Sequence, residues 1–297
     1  MFIPPGFSQK SIQSHLGYIV YYTNDRPPWN YESEEPETLV FIHGLGGGSS
    51  AYEWSKVYPA FASEYRVIAP DMMGWGRSAH PKHDYTVEDY IISIEKFIER
   101  ICSEPVTVIA SALSAAFTIR AAIARPELFK SLILTTAAGL NEFGRDYQDN
   151  FFTQLAATPV IDRLLYSTGV ATSFGIRSFL EQRQFAKSDR VYPEMVEAYL
   201  RSAQQPNAEY AALSFVRGDL CFDLTQDISK LTIPTALIWG QASEYTGPKV
   251  GYRLQEINPQ AIQIMYQLSD VGFTPQLELP AVTVGLIRKF LPQLLNE

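Results

Sequence analysis

Short runs of apolar and β-branched residues alternate with longer stretches of helical periodicity along most of this chain. Seven runs have the character of strands, and they begin at Gly17, Thr38, Tyr65, Val106, Ser131, Thr235 and Ala261. Several of these runs are apolar almost throughout, as is typical of strands that are covered on both faces. The alternation predicts an α/β fold, in which helices flank a mostly parallel central sheet.

One long segment interrupts this alternation. Residues 140–228 have no clear strand pattern, and they contain several helical stretches with many Phe and Tyr residues. The segment has no low-complexity or Gly/Ser/Pro-rich run, which argues against a linker. We therefore predict a core domain of residues 1–139 and 229–297, with residues 140–228 inserted as a helical cap or lid over a pocket.

Composition and charge limit the partners of such a fold. The chain has 297 residues, of which 46% are hydrophobic, and a net charge of -8, which repels nucleic acids and anionic membranes. No apolar run approaches the roughly 20 residues of a spanning helix, so no integral membrane association is expected. Cys102 and Cys221 lack CxxC spacing, which favours two free thiols in a reducing cytoplasm.

Three motifs occur in a fixed order: FIHGLGGGSSAYEW from Phe41, YRVIAPDMMGWGRSAHP from Tyr65, and VTVIASALSAAF from Val106. Together they resemble the α/β-hydrolase fold superfamily of the AB hydrolase-1 type. The resemblance covers nearly the whole chain, because PTALIWG and DVGFTPQLELP stand where that family has its acid and histidine segments. It implies a nucleophile, an acid and a histidine, in that order along the chain.

The glycine-rich loop after the second predicted strand has a counterpart in the family. The resemblance implies an oxyanion-type pocket at His43, Gly44, Leu45 and Leu113, in which the N–H groups of the two leucines point at the site. His43 would then support the loop rather than react. The alternative is that the glycines only allow a tight turn between strand and helix.

The residue at the nucleophile position has no reactive group. The family's strand-to-helix elbow aligns here on Ala112, and the residues two positions away, Ala110 and Ser114, are small enough for such a turn. A competing alignment makes Ser114 the nucleophile, but the following helix is then two residues short of its usual distance to Pro126. A serine also needs a partnered base before it attacks.

The two other catalytic positions are also substituted. Ser243 stands where the acid is expected, Glu244 is one position late, and Thr136 occupies the family's alternative acid position. Phe273 stands at the histidine position, and phenylalanine cannot accept a proton. The four histidines, His15, His43, His80 and His83, all precede residue 84, so a shifted alignment cannot supply the base.

These substitutions lead to three hypotheses. The first is a pseudoenzyme with a degenerate catalytic triad, which binds an apolar or acyl-bearing small molecule or a protein partner. The second is a triad-independent lyase, isomerase or cofactor-free oxygenase that uses the oxyanion-hole N–H groups. The third is a weak esterase based on Ser114 and Glu244. No cofactor or metal is expected, because the chain has neither a metal-ligand cluster nor a dinucleotide fingerprint.

Overall fold

The computed structural model describes residues 3–29, 36–144 and 166–295. These residues contain one eight-stranded sheet with the order β1-β2-β4-β3-β5-β6-β7-β8. The strands are β1 Ser8–Ser14, β2 Gly17–Thr23, β3 Thr38–Ile42, β4 Arg66–Pro70, β5 Val106–Ser111, β6 Phe129–Thr135, β7 Thr235–Gly240 and β8 Ile262–Leu268. All seven predicted strand runs form strands.

The sheet is mostly parallel, as predicted. Pairs β1–β2 and β2–β4 are antiparallel, and the five pairs from β4–β3 to β7–β8 are parallel. The pattern analysis did not include β1, because this edge strand is largely exposed and polar. Polar residues on a half-exposed strand give no apolar run to detect.

Helices cover both faces of the sheet. The α-helices of the described residues are α1 Val87–Ile101, α2 Ala112–Ala124, α3 Ser173–Phe179, α4 Pro193–Ala203, α5 Ala208–Val216, α6 Pro248–Ile257, α7 Pro275–Glu278 and α8 Pro280–Leu295. Alternate residues of β3 reach opposite sides: Val40 joins the cluster that contains Phe117 of α2, and Phe41 joins the cluster that contains Phe290 of α8. This two-sided burial explains why the central strands are apolar throughout.

The described part of segment 140–228 contains α3, α4 and α5 between β6 and β7. Residues 145–165 of the predicted cap lie outside the described residues, so its boundaries stay a prediction. A parallel bridge between Leu140 and Phe222 joins the two ends of this segment. Within the described ranges, we find no helix that is both long and apolar enough to cross a membrane.

Candidate functional site at the β5–α2 turn

The turn between β5 and α2 has the sharp geometry that its sequence predicts. Ala112 has φ = 55°, in the left-handed region, which costs an alanine about 1–2 kcal/mol. The turn closes tightly because Ala110 and Ser114 are both fully buried between strand and helix. Ala112 thus stands at the strained tip and presents only a methyl group.

Ser114 lies in the first turn of α2 and is fully buried. Its Oγ has no hydrogen-bond partner among the described residues. No base is therefore in contact with this hydroxyl in the part of the chain that the structure describes. The neighbouring Ser111 Oγ accepts a hydrogen bond of 2.9 Å from Nε2 of Gln276.

His43 holds the glycine-rich loop from inside the protein. Its Nε2 accepts the Met72 N–H at 2.9 Å, and its Nδ1 donates to the carbonyl of Gly44 at 2.6 Å. Burial lowers the pKa of His43 to about 4, so the ring is neutral at pH 7. Both ring nitrogens are occupied, which fits the predicted supporting role.

The cap packs directly on this loop. Gly48 has φ = +95°, and a Cβ there would lie 2.3 Å from the carbonyl oxygen of Tyr199 in α4. A side chain at residue 48 would therefore push α4 away from the loop. Leu45 and Leu113, whose N–H groups are the predicted oxyanion donors, are both buried. Their role as donors stays a prediction.

A buried carboxylate lies beside the turn. A Cβ on Gly44 would be 3.3 Å from Cβ of Ala112 and 3.4 Å from Oε2 of Glu53, so these three residues meet at one point. Glu53 belongs to a 3₁₀ helix, Ala51–Trp54, and is only 1% exposed. The alanine methyl and a carboxylate oxygen thus both border the Cα of Gly44.

Hydrogen bonds from several elements converge on Glu53. Its Oε2 accepts the Gly44 N–H at 2.9 Å, and its Oε1 accepts the Tyr199 hydroxyl at 3.0 Å. The side chains of Ser49 and Gln276 also hydrogen-bond to it. Burial raises the pKa of Glu53, and these hydrogen bonds oppose the rise.

The network continues into the cap and the C-terminal segment. Gln184 donates to the Tyr199 hydroxyl at 3.0 Å and lies 3.1 Å from Oγ1 of Thr274. All three side chains are buried. Polar groups of the core, of α4 and of the segment before α7 therefore form one hydrogen-bonded network around Glu53.

None of the predicted acid positions places a carboxylate at the turn. Ser243 is buried, and its Oγ has no hydrogen-bond partner among the described residues. Glu244 is exposed and forms a 3.0 Å ion pair with Arg183. Thr136 is buried at the end of β6 with φ = 48°.

Phe273 occupies the segment in which the family resemblance implies a histidine. Its backbone N–H donates to the carbonyl of Gln184 at 2.7 Å, and its ring meets the Tyr245 ring edge-on, with centroids 5.2 Å apart. The backbone bond joins the core to the cap, and the ring contact stabilises the packing within the core. The Phe273 ring provides no proton acceptor.

The three remaining histidines make contacts outside this network. His80 Nε2 lies 3.2 Å from the carbonyl of Gly76, and burial lowers the pKa of its ring. His83 Nε2 lies 2.9 Å from a carboxylate oxygen of Asp89, and His15 Nε2 lies 3.8 Å from the other oxygen. These rings interact around the start of α1 and the loop that precedes it.

The motif after β4 stabilises the 3₁₀ helix that contains Glu53. Asp71 is fully buried and accepts the N–H groups of Ala51 at 2.7 Å and Arg77 at 2.9 Å. Burial raises the pKa of Asp71 to about 6, against these hydrogen bonds. The carboxylate holds the 3₁₀ helix that presents Glu53, which gives the motif a structural role.

Glu53, Tyr199 and Gln276 belong to the site but are not predicted by the sequence motifs. A weak signal exists for Glu53, because it is a single charge between aromatic residues in the stretch SSAYEW. Tyr199 comes from the cap, about 146 positions away along the chain. Contacts over such separations leave no periodic pattern in the sequence.

Comparison with known proteins identifies the family. Residues 37–280 match the model of the α/β hydrolase fold family, and the chain belongs to this family. It is 25% identical over 279 residues to YugF, an uncharacterized hydrolase of Bacillus subtilis, with 93% of this chain and 95% of that protein covered.

The chain is also similar to a protein named as a receptor and to the solved structure of a hydrolase. The chain is 24% identical over 267 residues to karrikin insensitive 2 receptor IA of Petunia hybrida, with 86% of this chain and 90% of the receptor covered. The crystal structure of CarC, a serine hydrolase involved in carbazole degradation, gives a TM-score of 0.76 at 20% identity over 97% of this chain and 99% of that one. The second likeness concerns the fold alone.

Proposed function

We propose that this α/β hydrolase fold protein is a non-hydrolytic pseudoenzyme that acts by binding. The observation that carries the proposal is Ala112 at the left-handed tip of the β5–α2 turn, with the Glu53 carboxylate and not an imidazole beside it. A methyl group cannot form an acyl intermediate, and a buried carboxylate does not replace the nucleophile that is missing.

The other catalytic positions support the same proposal. Ser243 and Thr136 carry no carboxylate, Glu244 pairs with Arg183 at the surface, and Phe273 has no proton acceptor. Relatives of this chain include proteins named as hydrolases and one named as a receptor. Binding without hydrolysis is therefore a reasonable role for this scaffold, although fold alone does not fix function.

The packing beside Ala112 limits which class of ligand can bind at the β5–α2 turn. An apolar or acyl ligand that displaces Tyr199 or Gln276 at the turn would break their hydrogen bonds to Glu53. Breaking such bonds in a buried setting is costly. The packing favours a protein partner, or a ligand bound away from the turn, over an apolar ligand at the turn. The cytoplasmic location stays a prediction.

Labelling with a fluorophosphonate tests the proposal, because this reagent reacts with activated serines. We expect no labelling of the wild-type protein, no turnover of p-nitrophenyl acetate above a heat-denatured control, and no gain in the Ala112→Ser variant, which still lacks an imidazole. The matched control is a family hydrolase under the same conditions. Labelling of the wild type that disappears in Ser114→Ala would contradict the proposal and support the esterase hypothesis.

Glu53 favours a second candidate, a triad-independent enzyme that moves protons. A buried carboxyl with a raised pKa, which accepts the N–H of Gly44 in the predicted oxyanion loop, suits a general base beside an oxyanion site. Incubation with a panel of ketones in D₂O, followed by NMR, would detect proton abstraction next to a carbonyl. This candidate requires exchange in the wild type that Glu53→Gln abolishes; it is excluded by equal exchange in both proteins.

A further inference from the structure

A cleft of about 340 Å³ lies between α4 and the loop 74–78. This volume is at the lower end of the range for small-molecule sites. Three residues of α4, Ala198, Arg201 and Ser202, and Gln205 just beyond its end line one wall at a spacing of three or four. They share one helix face, whereas Tyr199 on another face reaches Glu53. The cleft is thus separate from the β5–α2 turn.

The floor of the cleft is held by hydrogen bonds between cap and core. The Gly76 N–H donates to Oγ of Ser202 at 2.9 Å, and this hydroxyl donates to the carbonyl of Ser49 at 3.0 Å. Ser50 and Tyr52, on the core side, are each 2% exposed. A floor fixed from both sides needs little rearrangement to accept a ligand.

Arg77 of the core and Arg201 of the cap both line the cleft, and none of its lining residues within the described ranges is acidic. Arg201 pairs with Glu197 on the same helix, but the two side chains are 58% and 61% exposed, so a ligand can replace this pair at little cost. Arg77 donates to the neutral amide of Gln9 at 2.5 Å. Such a cluster stands out in a chain with a net charge of -8.

We propose that this cleft binds a small organic anion whose phosphate or carboxylate group is held by Arg77 and Arg201. Apart from Gly76 and Ala198, every lining residue has a polar or charged side chain. The forked donors of arginine match phosphate and carboxylate oxygens, which an apolar chain does not offer. The site goes beyond the function proposed above, because it requires no chemistry at Ala112. Its ligand bridges core and cap.

Calorimetric titration with pyrophosphate and with citrate, each matched for ionic strength with sodium chloride, tests the site. We expect at least one of these probes to bind the wild type, and Arg77→Gln and Arg201→Gln each to weaken binding by about tenfold or more, as for a lost charged hydrogen bond. The probe that binds more tightly assigns the phosphate or the carboxylate class. Arg77→Lys, which keeps the charge but loses the fork, should be intermediate.

Arg177→Gln is the matched control, since Arg177 also lies on a cap helix and pairs with a glutamate four residues away. It should bind the probes like the wild type. Each variant is first checked for an unchanged melting temperature without ligand. Equal binding by the wild type and the Arg77→Gln/Arg201→Gln double variant would overturn the proposal, and so would the absence of binding by both probes. Fluorophosphonate labelling is independent of either result.

Discussion

Replacement of Arg190 by alanine is expected to lower the free energy of unfolding at neutral pH by about 3 kcal/mol. Arg190, in the cap segment, forms a 3.0 Å ion pair with Glu278 of α7, whose side chain is completely buried. Burial raises the pKa of Glu278, and Arg190 is among the groups that lower it again. Without the guanidinium, the buried carboxylate keeps the N–H groups of Gly272 and Ala186 but loses its charged partner. Urea unfolding, followed by circular dichroism, measures the loss.

Arg183→Ala is the control for this prediction. Arg183 also joins the cap to the C-terminal part of the core, but its side chain and that of its partner Glu244 are 62% and 51% exposed. We expect a change below about 1 kcal/mol, as for other surface ion pairs. The deficit of Arg190→Ala should also shrink in acid, where Glu278 becomes protonated. An equal loss in both variants, or a deficit independent of pH, would refute the role of the buried pair.

The sheet was predictable from the sequence because burial on both faces leaves a strong local signal. In β3, Leu39 and Phe41 face one cluster and Val40 faces the other, so the whole strand must be apolar. The capping box at Thr86 and Asp89 marks the start of α1 in the same local way. The exposed strand β1 has no such constraint, and the pattern did not predict it.

The candidate site was predictable only where it depends on backbone shape. The turn at Ala112 requires small neighbours and the loop at Gly48 requires a glycine, and both requirements are visible in the sequence. The position of Glu53 depends on α4, which reaches it across the fold. Its hydrogen bond to Tyr199 joins residues that no local pattern connects.

The second large effect is expected at Glu53. Glu53→Ala removes the acceptor for the N–H of Gly44 and for the side chains of Tyr199, Ser49 and Gln276, all in the interior. Each buried donor left without a partner costs about 1–3 kcal/mol, so we expect a loss of at least about 3 kcal/mol in the free energy of unfolding. Tyr199→Phe removes one donor to Glu53 and one acceptor of Gln184, which keeps its bond to Thr274, and should cost less, about 1–2 kcal/mol. Equal losses in the two variants would contradict a network centred on Glu53.

The dependence of stability on pH distinguishes the effect of the Glu53 charge from the effect of its size and hydrogen bonds. Burial raises the pKa of Glu53 above its ordinary value of 4.5, so the folded protein binds a proton more tightly than the unfolded chain does. The stability that this proton contributes is complete below the unfolded pKa and is lost as the pH rises through the folded pKa. Glu53→Gln does not titrate; relative to this variant, the wild type should therefore become less stable as the pH increases above about 4.5. Urea unfolding of both proteins over a series of pH values measures the difference, and a constant difference would show that Glu53 has no shifted pKa in the folded protein.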